Sequence, residues 1–203
     1  MIILASQSAS RRAMLDAAGV AYEALPARVD EALPARVDEA GVKAAMAGAS
    51  PRDLSDALAE MKAVKVSAGA GPVPVLGSDS IVALADGTLL DKPESREQAA
   101  DHLTRMSGGS HELWSAAVIA EHGRPVWRHV ERAKLHVRPL SPAFIDSYLA
   151  KEWPALSGCV GCFRIEGPGV QLFSRIEGSH FTILGMPLLP ILGYLRERGW
   201  MPA

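Results

Sequence analysis

The chain has 203 residues, 48% of them hydrophobic, with a net charge of −2 and a pI near 6.3, enough for one sizeable core. That balance excludes a protein built to hold nucleic acid through general charge, while a local basic pocket for a small polyanion stays compatible with it. No apolar run of about 18 residues occurs, and "MIILAS" lacks the length and basic flank of a secretory signal. A single cytoplasmic domain, residues 1–203, with no membrane and no nucleic acid as partner, is therefore expected.

Residues 2–5 form a short apolar run that passes through Ser6, Gln7, Ser8, Ala9 and Ser10 into "RRAMLDAAG". The helical spacing of Met14, Leu15 and Ala18 and the stop at Gly19 predict a strand, a serine-rich turn and a helix. A second strand, "VAYEAL", leads into the octet EALPARVD, which occurs twice in succession at 23–30 and 31–38. Pro26 and Pro34 forbid a continuous helix through it, and two short copies cannot stack into a solenoid. Ser50, Pro51 and Asp53 cap a helix whose stripe is Leu54, Leu58, Met61 and Val64, with Lys62 and Lys65 beside it. "PVPVLGSDSIVALADG" predicts a strand ending near Ser78, a polar step, and a second strand turning at Asp86-Gly87. A helix over 94–106 stops at Gly108-Gly109. Two long strand patterns, "HELWSAAVIAE" and "PVWRHVERAKLHVRPL", join at His122-Gly123-Arg124. Ser141-Pro142 opens another helix to about Lys151, "VQLFSRIEG" is strand-like, and "MPLLPILGYLRERG" is a final helix. Alternating strands and helices with one long antiparallel pair predict a mixed α/β sheet with flanking helices.

Several polar constellations interrupt this pattern. In "LASQSASRR", hydroxyls and two arginines stand between a strand and a helix start, where free N–H groups, the helix dipole and guanidinium forks favour a phosphate; a capped helix with two solvated arginines is the plainer reading. Asp79 in "LGSDS" follows an apolar strand, where α/β folds place active groups, or is a turn aspartate. Lys62 and Lys92 are unremarkable singly, and no P-loop pattern occurs. Cys159 and Cys162 form a C-x-x-C with no second pair to complete a zinc site and no thioredoxin-like context, so two structural thiols are expected.

Taken in order, "LASQSASRR", "VDE", "AEMKA", "GSDS", "DKP", "SGGSHELWSA", "VGCFRIEGPG" and "GSHFTILGMPLLPIL" resemble the Maf family of nucleoside triphosphate pyrophosphatases, once called septum-formation proteins, over essentially the whole chain. The resemblance implies an α/β fold, a mixed twisted sheet with two lobes flanking a deep nucleotide cleft as in the inosine triphosphatases. It also implies Mg2+-dependent hydrolysis, with Mn2+ as an alternative ion, of a nucleoside triphosphate to monophosphate and pyrophosphate, in the manner of enzymes that clear non-standard nucleotides. Ser6, Ser8, Arg11 and Arg12 match the family's N-terminal phosphate motif, and Lys62 and Lys92 its phosphate-contacting lysines. Asp79 matches the catalytic carboxylate, which would hold Mg2+ or take a proton from the attacking water. A glutamate of "VDE" matches the second acidic position, another metal ligand. The octet repeat offers two, Glu31 and Glu39; Glu39 is favoured because it stands 23 residues before Lys62 whereas Glu31 stands 31 before it, the shorter interval being closer to the family's.

The chain departs from the Asp-Lys-Ala-Gly-x-Tyr-x-x-Gln-Gly of many members, having Gly158 and Cys159 for Asp-Lys and Glu166 for Gln. This argues away from thymidine and uridine triphosphates. Together with the two residues between Ser8 and Arg11, it is more similar to the branch acting on 7-methyl-GTP. A carboxylate can accept from a guanine's N1–H and 2-amino group, making Glu166 a candidate base reader; a surface glutamate beside a glycine turn is its other reading. His111 also matches a family position, with a backbone-satisfied strand histidine as its expected role. A homodimer is compatible with the resemblance. A nucleotide-binding regulator of cell division with little turnover is the alternative function.

Overall fold

Burial on both faces makes Ile2–Leu4 (β1) an interior strand, as parallel strands covered on either side require. It pairs in parallel with β2 (Tyr22–Ala24) and with β3 (Val75–Leu84). The computed structural model describes residues 1–25 and 39–202. Seven strands form one sheet in the order β2-β1-β3-β5-β6-β7, with β4 (Leu89–Leu90) antiparallel to β3 off that path. β5 (Ser110–Glu121) and β6 (Arg124–Val137) are joined by His122 and Gly123 at φ 51° and 74°, the doubly left-handed pair of a tight hairpin turn. β7 (Phe173–Glu177) is antiparallel to the end of β6. The helices are α1 (Ala9–Ala17), α2 (Glu39–Ala45), α3 (Pro51–Ser67), α4 (Arg96–Met106), α5 (Pro142–Glu152), α6 (His180–Ile183) and α7 (Leu188–Glu197). None of the described helices is long and apolar enough to cross a membrane.

The chain forms two compact units; three of their boundaries fall inside β3, β5 and β6, and the fourth between α6 and α7. The first comprises Met1–Ser80, Ser115–Glu131 and Gly185–Ala203. Its helix α3 begins as the sequence predicts: the Ser50 hydroxyl accepts from the Asp53 backbone N–H at 3.1 Å and donates to the Asp53 carboxylate at 2.7 Å, a reciprocal cap worth about 1 kcal/mol. The buried face is rotated from the expected stripe. Leu54, Leu58, Ala59 and Ala63 are buried while Met61 and Val64 are only partly so. Small residues decide this, because Ala59 and Ala63 cluster with Ala116, Val118 and Ala120 of β5 and let helix and sheet approach closely.

The second unit comprises Ile81–Trp114 and Arg132–Leu184. Its core gathers Leu103, Leu135, Leu149, Leu156, Phe163 and Leu172, each worth about 1.5–3 kcal/mol when fully buried. Two expectations are corrected. β3 does not end near Ser78 but runs unbroken through Leu84, because Ser78 and Ser80 are buried and hydrogen-bonded rather than solvated. The first three residues of "VQLFSRIEG" belong to a 3-10 turn, Pro168–Leu172, since Pro168 and Gly169 open a tight turn before β7 can form.

Candidate active site

The end of β1 hands its chain to α1 through Ser6 and Ser8. The Ser8 hydroxyl caps the helix, accepting from the Arg11 backbone N–H at 3.5 Å, while Ser8 N–H donates to Ser6 Oγ at 3.2 Å. Arg11 lies in the first turn and is 9% exposed; Arg12, the next residue around the helix, is exposed. Arg11 donates from Nε to the Gly185 carbonyl at 2.9 Å, from Nη1 to Ser6 Oγ at 3.3 Å and from Nη2 to Ser80 Oγ at 3.2 Å. Burial pulls its pKa below the ordinary guanidinium value, and the fields of Asp79 and Glu39 partly offset this.

Strand alternation in β3 puts Ser78 and Ser80 on one face and Asp79 on the other. Lys62, from the last third of α3, meets Asp79: its Nζ lies 2.5 Å from Asp79 Oδ1 and 2.7 Å from Glu39 Oε1. The Lys62 and Asp79 side chains are 13% and 14% exposed, Glu39 49%. Glu39 is the first residue of α2, where a helix N-terminus favours a carboxylate. Gly77 makes the lysine's approach feasible, because a Cβ there would collide with the Ala59 carbonyl and stand 2.5 Å from the Ala63 nitrogen. Sequence reading passed over Gly77; a glycine inside a strand was the signal of a close backbone approach.

The first unit thus brings together Ser6, Ser8, Arg11, Lys62, Asp79 and Glu39 from β1, α1, α2, α3 and β3. Glu31 lies outside the described residues. Among the described residues no three His, Cys, Asp or Glu side chains group as a metal cage. Two carboxylates arranged round one cationic centre are what this unit offers.

Lys92 and Glu166 belong to the second unit, and both are exposed. Lys92 follows β4. Glu166 sits in a turn closed by the Gly167 N–H donating to the Arg164 carbonyl at 3.1 Å. That turn is braced by an ion pair the sequence did not reveal: Arg164 Nε donates to Glu152 Oε2 at 2.9 Å and Nη2 to Oε1 at 3.3 Å, with Glu152 5% exposed. Burial above all, then the charge of Glu166, pushes the Cys159 thiol up, while Arg164 and Lys92 oppose it. Burial pushes Cys162 up to about 12; its Sγ lies 3.5 Å from His102 Nδ1. Thiols held protonated in this way suit packing rather than nucleophilic work.

The expected role of His111 is corrected. The residue is 1% exposed, and neither ring nitrogen has a hydrogen-bond partner among the described residues. Its ring packs instead on Phe163 and Phe173, with centroids 5.9 and 6.1 Å away.

Known proteins resemble this chain along nearly its whole length. A nucleoside triphosphate pyrophosphatase of Sphingopyxis alaskensis is 53% identical over 201 residues, covering 99% of this chain and 98% of that one. One of Caulobacter vibrioides is 48% identical, covering 98% and 96%. A 7-methyl-GTP pyrophosphatase of Rhizobium meliloti is 47% identical, covering 100% and 98%. The family model described as "Maf-like protein" matches residues 1–198, and with relatives this similar over their full length the chain belongs to the Maf-like family.

Proposed function

We propose that the chain is a nucleoside triphosphate pyrophosphatase, hydrolysing its substrate to nucleoside monophosphate and pyrophosphate in the cytoplasm, on free nucleotides, without nucleic acid or membrane. The observation that carries the reading is the juxtaposition of Asp79, Glu39 and Lys62, with Nζ at 2.5 and 2.7 Å from the two carboxylates, beside a buried Arg11 whose contacts among the described residues are all neutral oxygens. Asp79 takes a proton from the attacking water as the α–β anhydride bond breaks. Arg11, Arg12 and the Ser6–Ser8 turn hold phosphate oxygens, and Lys62 adds a point charge; Lys92, in the second unit, keeps the phosphate-contacting role that the family resemblance implies.

Mg2+, or Mn2+ in its place, fits the donor set. Both carboxylates already face one cationic centre, and one or two carboxylates are what Mg2+ takes from protein when phosphates and water supply its remaining ligands. Asp79 and Glu39 would hold it. When bound, the ion would neutralise charge developing on the phosphate oxygens.

Glu166 is the proposed base reader, and its exposed carboxylate suits the N1–H and 2-amino donors of a guanine. The likeness to the R. meliloti 7-methyl-GTP pyrophosphatase supports a methylated guanine nucleotide as substrate, in a role of clearing modified nucleotides. A regulator with little turnover is less favoured, since regulation alone does not call for two carboxylates and a lysine brought into contact. Pyrophosphate release from ordinary and methylated triphosphates, with Mg2+ and with Mn2+, tests the proposal. Orthophosphate as sole product, or tight binding without turnover, would overturn it.

A further inference from the structure

A buried guanidinium ordinarily meets a carboxylate, because desolvating an unpaired charge is costly. Arg11 does not. Its three contacts are a carbonyl and two hydroxyls, all neutral, and Asp79 and Glu39 reach it only through their fields. Of the five N–H groups, three are engaged with described residues, so one on each terminal nitrogen remains for another acceptor.

The partners are themselves tied down. Ser80 Oγ lies 2.8 Å from Ser115 Oγ and 3.2 Å from the Gly185 carbonyl oxygen, which also accepts from Ser78 Oγ at 3.1 Å. Ser80 has one proton and two lone pairs. Whether it donates to Gly185 or to Ser115, its oxygen accepts from Arg11 Nη2. Ser78, Ser80 and Ser115 are 0%, 8% and 0% exposed, so water cannot readily replace any of them. Gly185 has φ +107°, and a Cβ there would stand 3.5 Å from both Arg11 Nε and Ser80 Oγ. Only glycine adopts that backbone comfortably, and it aims the carbonyl at the guanidinium edge.

We infer that Ser80, supported by Ser115 and the Gly185 carbonyl, is a positioning residue that fixes the plane of the Arg11 guanidinium so that its remaining N–H groups meet the phosphates of the substrate in one preset geometry. The inference rests on the proposed reading of Arg11 as a phosphate contact. The gain is preorganisation: the fork is oriented before substrate arrives, and its charge is not spent on an internal ion pair. The sequence shows Ser80 only as the last letter of "GSDS", and Ser115 as a hydroxyl in an apolar strand.

The test compares Ser80→Ala, Ser115→Ala, Arg11→Ala, Arg11→Lys and Ser55→Ala in the full chain. Ser55 is as buried as Ser115 but donates to the Arg52 carbonyl of its own helix, and so controls for loss of any buried hydroxyl. Pyrophosphate release gives KM and kcat; calorimetric titration with pyrophosphate gives product affinity without turnover. Ser80→Ala is expected to raise KM and weaken pyrophosphate binding about tenfold, as for one charged hydrogen bond, with kcat within about threefold. Ser115→Ala shifts both in the same direction by about threefold, and Ser55→Ala shifts neither by more than about twofold. Arg11→Lys falls close to Arg11→Ala, because a point charge cannot use a preset fork. If Arg11→Ala leaves KM and pyrophosphate affinity unchanged, the phosphate role of Arg11 is wrong. If Arg11→Ala weakens them while Ser80→Ala behaves as Ser55→Ala, the positioning role alone is wrong. Should Ser80→Ala not fold, Ser115→Ala decides the same question.

Discussion

Replacing His111 by phenylalanine should flatten the acid limb of the protein's stability curve. The ring is 1% exposed, packed on Phe163 and Phe173, with both nitrogens unpartnered among the described residues. Burial pulls its pKa down to about 4, against about 6.5 for an exposed histidine. As pH falls, the unfolded chain protonates this residue near about 6.5, whereas the folded chain keeps it neutral until about 4. Between those values the unfolded state binds more protons, so folding stability falls with falling pH. The stabilising contribution is complete above the upper value and stops declining below the lower one. A gap of about 2.5 pH units at about 1.36 kcal/mol each amounts to about 3 kcal/mol.

His111→Phe keeps the ring contacts and removes both the titration and the two unpaired nitrogens. Its extra volume costs about 1–3 kcal/mol, but at every pH alike, so the offset between the curves is not diagnostic and the slope is. Urea unfolding of both proteins, followed by circular dichroism at half-unit steps between about pH 4 and 7.5, measures it. His102, lowered by burial, is present in both proteins and cancels. The stability difference should move by about 3 kcal/mol in favour of the variant on going from neutral pH to about 4. Parallel curves, or an NMR titration placing His111 near its exposed value, would refute the reasoning.

Asp79→Asn should leave the melting temperature near that of the parent and lower kcat about 10²- to 10⁴-fold, since an amide neither takes the proton nor matches the charge toward Mg2+; unaltered turnover would remove Asp79 from the chemistry. Gly77→Ala should destabilise the chain by about 1–3 kcal/mol, because the new Cβ collides with the α3 backbone, and thermal melts will show it. Glu39→Gln should impair Mg2+-dependent turnover strongly and Glu31→Gln weakly, the reverse ranking meaning that the first octet copy supplies the carboxylate. Glu166→Gln should reorder kcat/KM among bases more than it lowers turnover, and a uniform loss across all triphosphates would contradict its role.

What the sequence made legible was local. Ser8, Ser50 and Ser141 cap helices, as expected of a hydroxyl ahead of a helical stripe, and Ser95 caps α4, which begins at Arg96, two residues later than expected. The His122-Gly123 hairpin is likewise decided by two adjacent residues. The α/β class follows from periodicity summed over long segments. Features set by contacts distant in sequence were harder to read. Ser78 and Ser80 looked like the end of a strand because hydroxyls usually meet water; Gly185, more than a hundred residues later, is what lets them stay inside. Arg164 and Glu152 were an unremarkable pair of charges until α5 and the Glu166 turn were folded against each other. Hydrophobicity alone puts the α3 stripe through Met61 and Val64, whereas the contact is governed by where Gly77 admits Ala59 and Ala63.

Buried Arg11 and partly buried Lys62 also show why a net charge of −2 says little about anion binding. Lys62 is matched by two carboxylates at contact distance, and Arg11 by none among the described residues. A phosphate can therefore approach Arg11 without displacing an ion pair, and the desolvation already suffered by the guanidinium is part of what such an approach relieves. Lys62 is in the opposite condition. It can turn toward a phosphate oxygen only when the negative charge of Asp79 and Glu39 is met by some other cation, because leaving two carboxylates to face one another is unfavourable. If Asp79 and Glu39 hold Mg2+ as proposed, the proposed service of Lys62 to the substrate is conditional on that ion. Arg11, held by neutral oxygens, is under no such condition.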